Sequence, residues 1–355
     1  MTNNALVSVD SNGQFVQNGE TFVPQGVCSY PLLELAGRNE MQSVHDIFRQ
    51  ASDLGRPVVR TNAFFDGGES VARIRNDDGS LREEGLQGLD RLLAAAAEDG
   101  VSLILSLTNN WHDYGGAEAI LRAVAPGESL PKDAFWTDSR AVAMQRAYID
   151  TLVMRTNTVN GRAYKSDPTV FAWELANEAR CDDSSLCAPD TLVVWARTMA
   201  TQVRAAGAAQ LVAWGGIGYL GEHGEDLEAL ASDGAVDVLT VHMYPMARLD
   251  TDSTAARILR YVTGAGVGAS RVRDAGRLAR RYGAAMLIEE FGWRPLLDDR
   301  DNERALVVRE WVAAAQEEGI GTFPWMIGEP NRPDYDGFLI RPDEDVLTAA
   351  VLRCL

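Results

Sequence analysis

Lysine is nearly missing from this 355-residue chain: of its 33 basic residues only Lys132 and Lys165 are lysines, so 31 are arginines, and they face 51 acidic residues. The net charge of -18 repels phosphate backbones, which excludes nucleic acid as an expected partner. A neutral polymer such as a polysaccharide meets no such penalty, although a salt-rich habitat would favour the same acidity. Long apolar runs are absent as well. The best of them, such as residues 101–107, are of strand length, far short of the roughly 20 residues of a membrane span. Histidine is scarce, at four, and comes without HExxH or paired spacing. His112 and Asp113 therefore do not read as a metal pair, and no catalytic metal or other cofactor is expected. The four cysteines, Cys28, Cys181, Cys187 and Cys354, form no CxxC units. Cys181 and Cys187 bracket the short loop DDSSL. They either close it as a disulfide outside the cytosol or remain free thiols like the other two. The start, MTNNALVSVD, has neither the basic nor the apolar region of a signal peptide, so such a segment is expected to be absent or already removed. No internal repeat, low-complexity tract or interdomain linker interrupts the chain.

What is present is a regular alternation. A hydrophobic share of 46% and a mean hydropathy of -0.15 allow a large core. Short apolar, β-branched runs predict strands at 21–27, 57–63, 101–108, 170–178, 210–215, 236–244, 284–291 and 322–327. Helical spacing falls between and after them, at 41–54, 84–99, 139–159, 189–206, 271–282, 302–318 and 344–352. Eight strands alternating with helices, without a GxGxxG after the first, predict a (β/α)8 TIM barrel forming one domain over 1–355. The longest irregular piece, 109–138, follows the third strand, on the face where such barrels build their sites. Its mixture of aromatic, amide and acidic residues suits sugar recognition.

Two strand ends carry the chemistry. In FAWELANEAR, at 171–180, Glu178 emerges where a carboxylic acid can protonate a departing glycosidic oxygen, and Asn177 beside it can donate to a sugar hydroxyl. Strict alternation sends these neighbours to opposite faces, so both serve one site only if the strand end bulges or twists. In MLIEEFGW, at 286–293, Glu290 is placed to face Glu178 at the roughly 5–5.5 Å of a retaining pair. Its neighbour Glu289 is expected to point away or to serve structure.

Together with VVRTNAFFDG, LTNNWHDYGG, TVHMYP and PWMIG, these segments resemble glycoside hydrolase family 5, and within it the endo-β-1,4-mannanases, in the same order from about residue 13 to 338. The resemblance implies that Glu178 is the acid/base and Glu290 the nucleophile of a retaining hydrolysis of β-1,4-mannan. It implies that Arg60 and the Tyr244 hydroxyl contact the nucleophile, and that His242 lines the floor. Trp325 would lie under the sugar at the cleavage point, Trp111 would be a second sugar platform, and Arg180 would bind the leaving-group side. It also implies a monomer outside the cell, acting on mannan or manno-oligosaccharides. The chain departs from the family pattern at Ala179, where proline is common, and at Ile217, where a glutamate often stands and where Glu222 or His223 would have to substitute. It departs again after HMYP, where MARLDTDS lacks the usual tryptophan. An exo-acting β-mannosidase, a β-1,4-glucanase and a non-catalytic carbohydrate-binding barrel are the rival readings. A phosphate-handling barrel is disfavoured by the acidic loops FGWRPLLDD and IGEPNRPDYDG.

Overall fold

Segments such as VVRTN, SLILS and VLTVHM are too short and too β-branched for helices, and each lies far enough from the next to be joined through one, which favours parallel pairing. The computed structural model describes residues 5–218, 220–244, 254–295 and 299–354, and side chains other than those of 254–260. Three short strands, β1 (Ser8–Val9), β2 (Phe15–Gln17) and β3 (Glu20–Phe22), form an antiparallel meander. The chain then runs through β4 (Gly26–Cys28), β5 (Val58–Asn62), β6 (Ser102–Ser106), β7 (Val170–Glu174) and β8 (Leu211–Ala213). A small hairpin of β9 (Leu220–Glu222) and β10 (Glu225–Asp226) precedes β11 (Val238–Met243), β12 (Ala285–Phe291) and β13 (Gly321–Pro324). The eight-stranded sheet runs β4-β5-β6-β7-β8-β11-β12-β13, and a parallel bridge between Gln25 and Thr322 joins its ends, giving the TIM barrel.

Alternation along the strands sorts the core into two parts. Val59, Leu103, Trp173, Val212, Leu239 and Ile288 face outward into the layer shared with the helices. Val58, Ile104, Ala172, Leu211, Leu287 and Phe323 face inward and fill the barrel. The meander plugs its floor: Phe15 and Phe22 join the inner cluster, and the Phe15 ring lies 5.8 Å from that of Phe171. Higher on the same inward rows the residues become polar, with Arg60, Ser106, Glu174, His242 and Glu289 all buried. The barrel is thus dry below and charged above.

Several expected boundaries move. The strand predicted at 21–27 divides, because Pro24 lacks an N–H and interrupts the ladder; its first part joins the meander and Gly26–Cys28 joins the barrel. The strand expected to reach 178 stops at Glu174. The segment 109–138, read as irregular, contains the helix Gly116–Val124 and the 3-10 turn Lys132–Trp136. The helix expected to reach 159 ends at Val153, where the Asn157 side chain takes the N–H groups of Val159 and Asn160 and holds a loop instead. The helix expected from 271 begins at Thr254 and runs to Tyr282. Leu32–Gly37 and Leu227–Asp233 are further helices without counterparts in the sequence reading. Cys181 and Cys187 are joined by a disulfide, which resolves that alternative. Among the described residues, no helix is long and apolar enough to cross a membrane.

Candidate active site

The charged upper layer is organised by Arg60, an inward residue of β5 with only 5% of its surface exposed. Its Nε and Nη2 donate to the two oxygens of Glu174 on β7, at 2.6 and 2.7 Å, as a planar fork meeting a carboxylate. Nη2 also donates to Asn177 Oδ1 at 2.7 Å, and Nη1 donates to Glu290 Oε1. Burial works against the guanidinium charge, but Glu174, Glu290 and Glu289 more than offset it, so the cation is held firmly. Burial likewise opposes a charged Glu174, and Arg60 outweighs it, keeping that carboxyl below its usual range.

Beyond β7 the backbone leaves strand geometry. Asn177 pairs with Asn109 in an isolated parallel bridge, and its amide donates to Asn109 Oδ1 at 2.9 Å. Glu178 follows with φ of 52°, a left-handed conformation that costs a non-glycine residue about 1–2 kcal/mol. Its N–H donates to the Gly215 carbonyl at 2.7 Å and fixes that turn. Gly215 is required there: a Cβ would lie 2.1 Å from the Ala176 carbonyl and 2.7 Å from the Glu174 carboxylate. This departure lets Asn177 and Glu178 face one cleft. Glu178 Oε1 meets His242 Nδ1 at 2.9 Å, and its Oε2 accepts from the Trp111 indole N–H at 2.5 Å. Burial pushes the Glu178 carboxyl up, but the His242 bond and charge and the Trp111 bond bring it below its usual range.

Across the mouth, β12 carries an irregularity. Its register with β11 shifts between Val241 and His242, so that His242 pairs with Glu290, and its register with β13 shifts between Ile288 and Phe291. The extra residue brings both Glu289 and Glu290 to the interior instead of sending one away. Glu289 keeps to the inward row of Ala285 and Leu287 and is fully buried beneath Glu290. Glu290 accepts from Arg60 and, through Oε2, from the Tyr244 hydroxyl at 2.8 Å. Burial and the adjacent Glu290 both push the Tyr244 phenol up, so it stays protonated as a donor. Oxygens of Glu178 and Glu290 and a ring nitrogen of His242 lie within 4.8 Å of one another. With Arg60 donating into this same cluster, the three read as members of a hydrogen-bonded ion-pair network and not as metal ligands.

The cleft above these groups encloses about 770 Å³. Of the residues singled out from sequence, Trp111, Asn177, Glu178, Tyr244, Glu290 and Trp325 line it, and Arg60 reaches it from below. Trp325 is stacked on Tyr30, with ring centroids 5.4 Å apart and planes 10° from parallel, and its indole N–H donates to Asp336 at 3.1 Å. His242 is buried beneath the wall, and Arg180 stands outside it. The Arg180 guanidinium lies 5.8 Å from the Trp111 ring centre, is paired with Asp182 at 2.8 Å, and contacts His223 at 2.9 Å. His223 is therefore occupied on this rim, bonded also to Asp182, and Glu222 is exposed on β9; neither lines the cleft in place of the missing glutamate at Ile217. The segment MARLDTDS lies outside the described residues. Tyr30, Phe65, Asn109, Tyr114, Tyr335 and Phe338 also line the cleft and were not identified from sequence. Tyr30, directly after the first barrel strand, was the most findable, since strand-end aromatics on this face are sugar-binding candidates.

A family model described as GH family 5 beta-mannosidase-like matches residues 7–310. Mannan endo-1,4-beta-mannosidase 3 of Oryza sativa subsp. japonica is 34% identical over 258 residues, an alignment covering 68% of this chain and 54% of the rice protein. The chain thus spans about half the length of that relative. Putative mannan endo-1,4-beta-mannosidase 9 of the same plant is 30% identical over 366 residues, with 96% and 86% covered. Among solved structures, the endo-beta-1,4-mannanase from Thermotoga petrophila is 28% identical with a TM-score of 0.81, covering 95% of this chain and 76% of that one. The endo-1,4-beta-mannanase from Rhizomucor miehei has the same fold, with a TM-score of 0.83 at 24% identity and 99% of each chain covered.

Proposed function

This chain belongs to glycoside hydrolase family 5, and from that premise we propose that it is a retaining endo-β-1,4-mannanase in which Glu290 is the nucleophile and Glu178 the acid/base. The observation that carries the reading is the approach of the Glu178 and Glu290 oxygens to within 4.8 Å, a separation that leaves no room for the additional water of an inverting pair. Glu290 attacks the anomeric carbon as Glu178 gives a proton to the departing oxygen, and a glycosyl ester forms on Glu290. Glu178, now a carboxylate, takes a proton from water as the water oxygen attacks that carbon, and the sugar leaves with its configuration retained. Arg60 and Tyr244 hold the Glu290 oxygens in line, so the nucleophile is oriented before substrate arrives. Trp325 offers a flat apolar face to the C–H face of the sugar at the cleavage point. Trp111 serves as a platform beside Glu178, and Arg180 steadies the leaving-group side. The chain acts as one catalytic domain and as a monomer on mannan or manno-oligosaccharides.

Support for internal cleavage comes from more than one aromatic group in the cleft, Trp111 bonded to Glu178 and Trp325 stacked on Tyr30, and from the names of the relatives. Chromatography of products from linear mannan and mannohexaose tests it. A ladder of short oligosaccharides is expected. Release of mannose alone would make the enzyme an exo-mannosidase, cleavage of cellulose in preference to mannan would make it a glucanase, and no release from either would leave a binding barrel.

A further inference from the structure

Glu289 is a fully buried carboxyl for which the cycle above has no use. Neither of its oxygens has a hydrogen-bond partner among the described residues, and the nearest cationic atoms are His242 Nε2 at 3.6 Å and Arg60 Nε at 3.7 Å. An acid left unbonded in a dry interior is costly, so its place in the fold calls for a reason. That place is the far side of His242 from Glu178. The imidazole is enclosed, with Nδ1 at 2.9 Å from Glu178 and 3.5 Å from Glu290, and Nε2 turned toward Glu289. The titratable and charged groups facing this pair come from five of the barrel strands: Cys28 on β4, whose thiol donates to the Glu289 carbonyl at 3.2 Å, Arg60 on β5, Glu174 on β7 with Glu178 beyond it, Tyr244 after β11, and Glu290 on β12. Four carboxyls surround one permanent cation. A proton on the imidazole relieves that excess of negative charge.

We propose that Glu178, His242 and Glu289 form a proton relay, in which the proton that Glu178 delivers to the leaving oxygen rests on His242, and Glu289 is the positioning residue that holds it there as counter-charge. The relay rests on the assignment of Glu178 as acid/base. In the first half-reaction the Nδ1 proton passes to Glu178 Oε1, and Glu178 passes a proton to the glycosidic oxygen as its bond to carbon breaks and the Glu290 ester forms. His242 is left neutral, with its Nε2–H toward Glu289. In the second half, water gives a proton to Glu178 as its oxygen bonds to carbon and the ester bond breaks, and the proton returns to Nδ1. The charge balance agrees with this order. Burial opposes a cationic His242, but Glu290, Glu178 and Glu289 outweigh it and push the imidazole up to about 10. Glu178 itself is held ionised at neutral pH and so does not keep the proton at rest.

The chain has only four histidines, so 15N-histidine NMR of the full-length protein can follow His242, identified as the signal lost in His242→Asn. The relay requires an imidazolium, protonated on both nitrogens, at pH 8; a neutral ring at that pH overturns it, whether or not any Glu289 variant folds. Glu289, itself pushed up to about 7 by burial and Glu174, carries its counter-charge above that pH, so Glu289→Gln should move the alkaline limb of kcat/KM on mannan down by about one pH unit, and Glu289→Asp should restore it in part. A merely structural role for Glu289 would lower activity evenly and leave the limb in place. No hydrolysis of mannan by the wild-type chain would sink the mannanase reading and the relay together. A wild type that cleaves mannan, beside a Glu289→Gln variant with an unmoved limb, would sink the relay alone.

Discussion

Arg60 touches Glu174, Asn177 and Glu290 with one guanidinium, so its replacements separate stability from catalysis. Arg60→Met strands Glu174 as a buried, unpaired carboxylate and should cost about 3–5 kcal/mol in urea unfolding. Arg60→Lys keeps the charge but not the fork, and should retain more of the stability while lowering kcat by about 10²–10³-fold, as loss of an orienting donor does. On the proposed roles, Glu178→Ala should spare aryl mannosides with good leaving groups far more than mannan, because those leaving groups need no proton. Glu290→Ala should cripple both; equal losses on the two substrates in the Glu178 variant would count against the assignment of the acid. Glu178, Glu290, Arg60 and Tyr244 were legible because each sits at a strand end inside a recognisable motif. Glu174 and the shared inward placement of Glu289 and Glu290 were not. A single acid in the apolar run FAWEL carries no mark of its partner, and the register shift that lets Glu290 join Glu289 in the interior depends on how two neighbouring strands pair. Trp111 was read as a platform alone, whereas its N–H is committed to Glu178, a link no spacing reveals.

Elements with strong periodicity were found nearly where the pattern put them, as in the helix Glu83–Asp99 and strand β12, while errors gathered where one residue overrides the pattern. Pro24 is one such residue and Asn157 another. The segment after β7 is held by contacts from outside itself. The disulfide closes it, and the buried Asp133 carboxylate accepts the N–H groups of Asp182 and Asp183 at 2.7 and 2.8 Å. Trp136 Nε1 donates to the Arg180 carbonyl at 2.8 Å. Asp133→Ala should therefore cost about 1–3 kcal/mol in thermal or urea unfolding. Reduction of the disulfide, which spans a short loop, should cost about 2 kcal/mol. Because this segment carries Arg180, either change should raise KM for mannohexaose more than for an aryl mannoside. An equal rise on both would place Arg180 outside the leaving-group subsite.

At the scale of the whole molecule the buried charges shape stability against pH. Burial opposes ionisation of Glu174 and of Asp90, but Arg60 and Arg155 hold both below the usual carboxylate range. Their contribution is present above the unfolded carboxylate value of about 4 and is lost as pH falls through the lower folded values. Burial and the neighbouring Glu174 push Glu289 up to about 7, so its share is full below about 4.5 and gone once pH passes 7. His242, pushed up to about 10, gives a share that is full below about 6.5 and lost on the way to 10. Melting temperatures should peak near about pH 5 and decline on both sides, and His242→Asn should flatten the part of the decline above pH 7. A slope unchanged in that variant would show that other groups set it. The stack of Tyr30 on Trp325 has a consequence of its own, since one ring follows the first barrel strand and the other follows the last. They meet only where the two ends of the circle join, so a chain stopped one strand short of completion would keep both acids and Trp111 but lose the stacked floor proposed for the sugar at the cleavage point. Hydrolysis is in that sense a gauge of whether the seam is shut, and under gentle denaturation it should vanish before the far-ultraviolet dichroism of the helices declines.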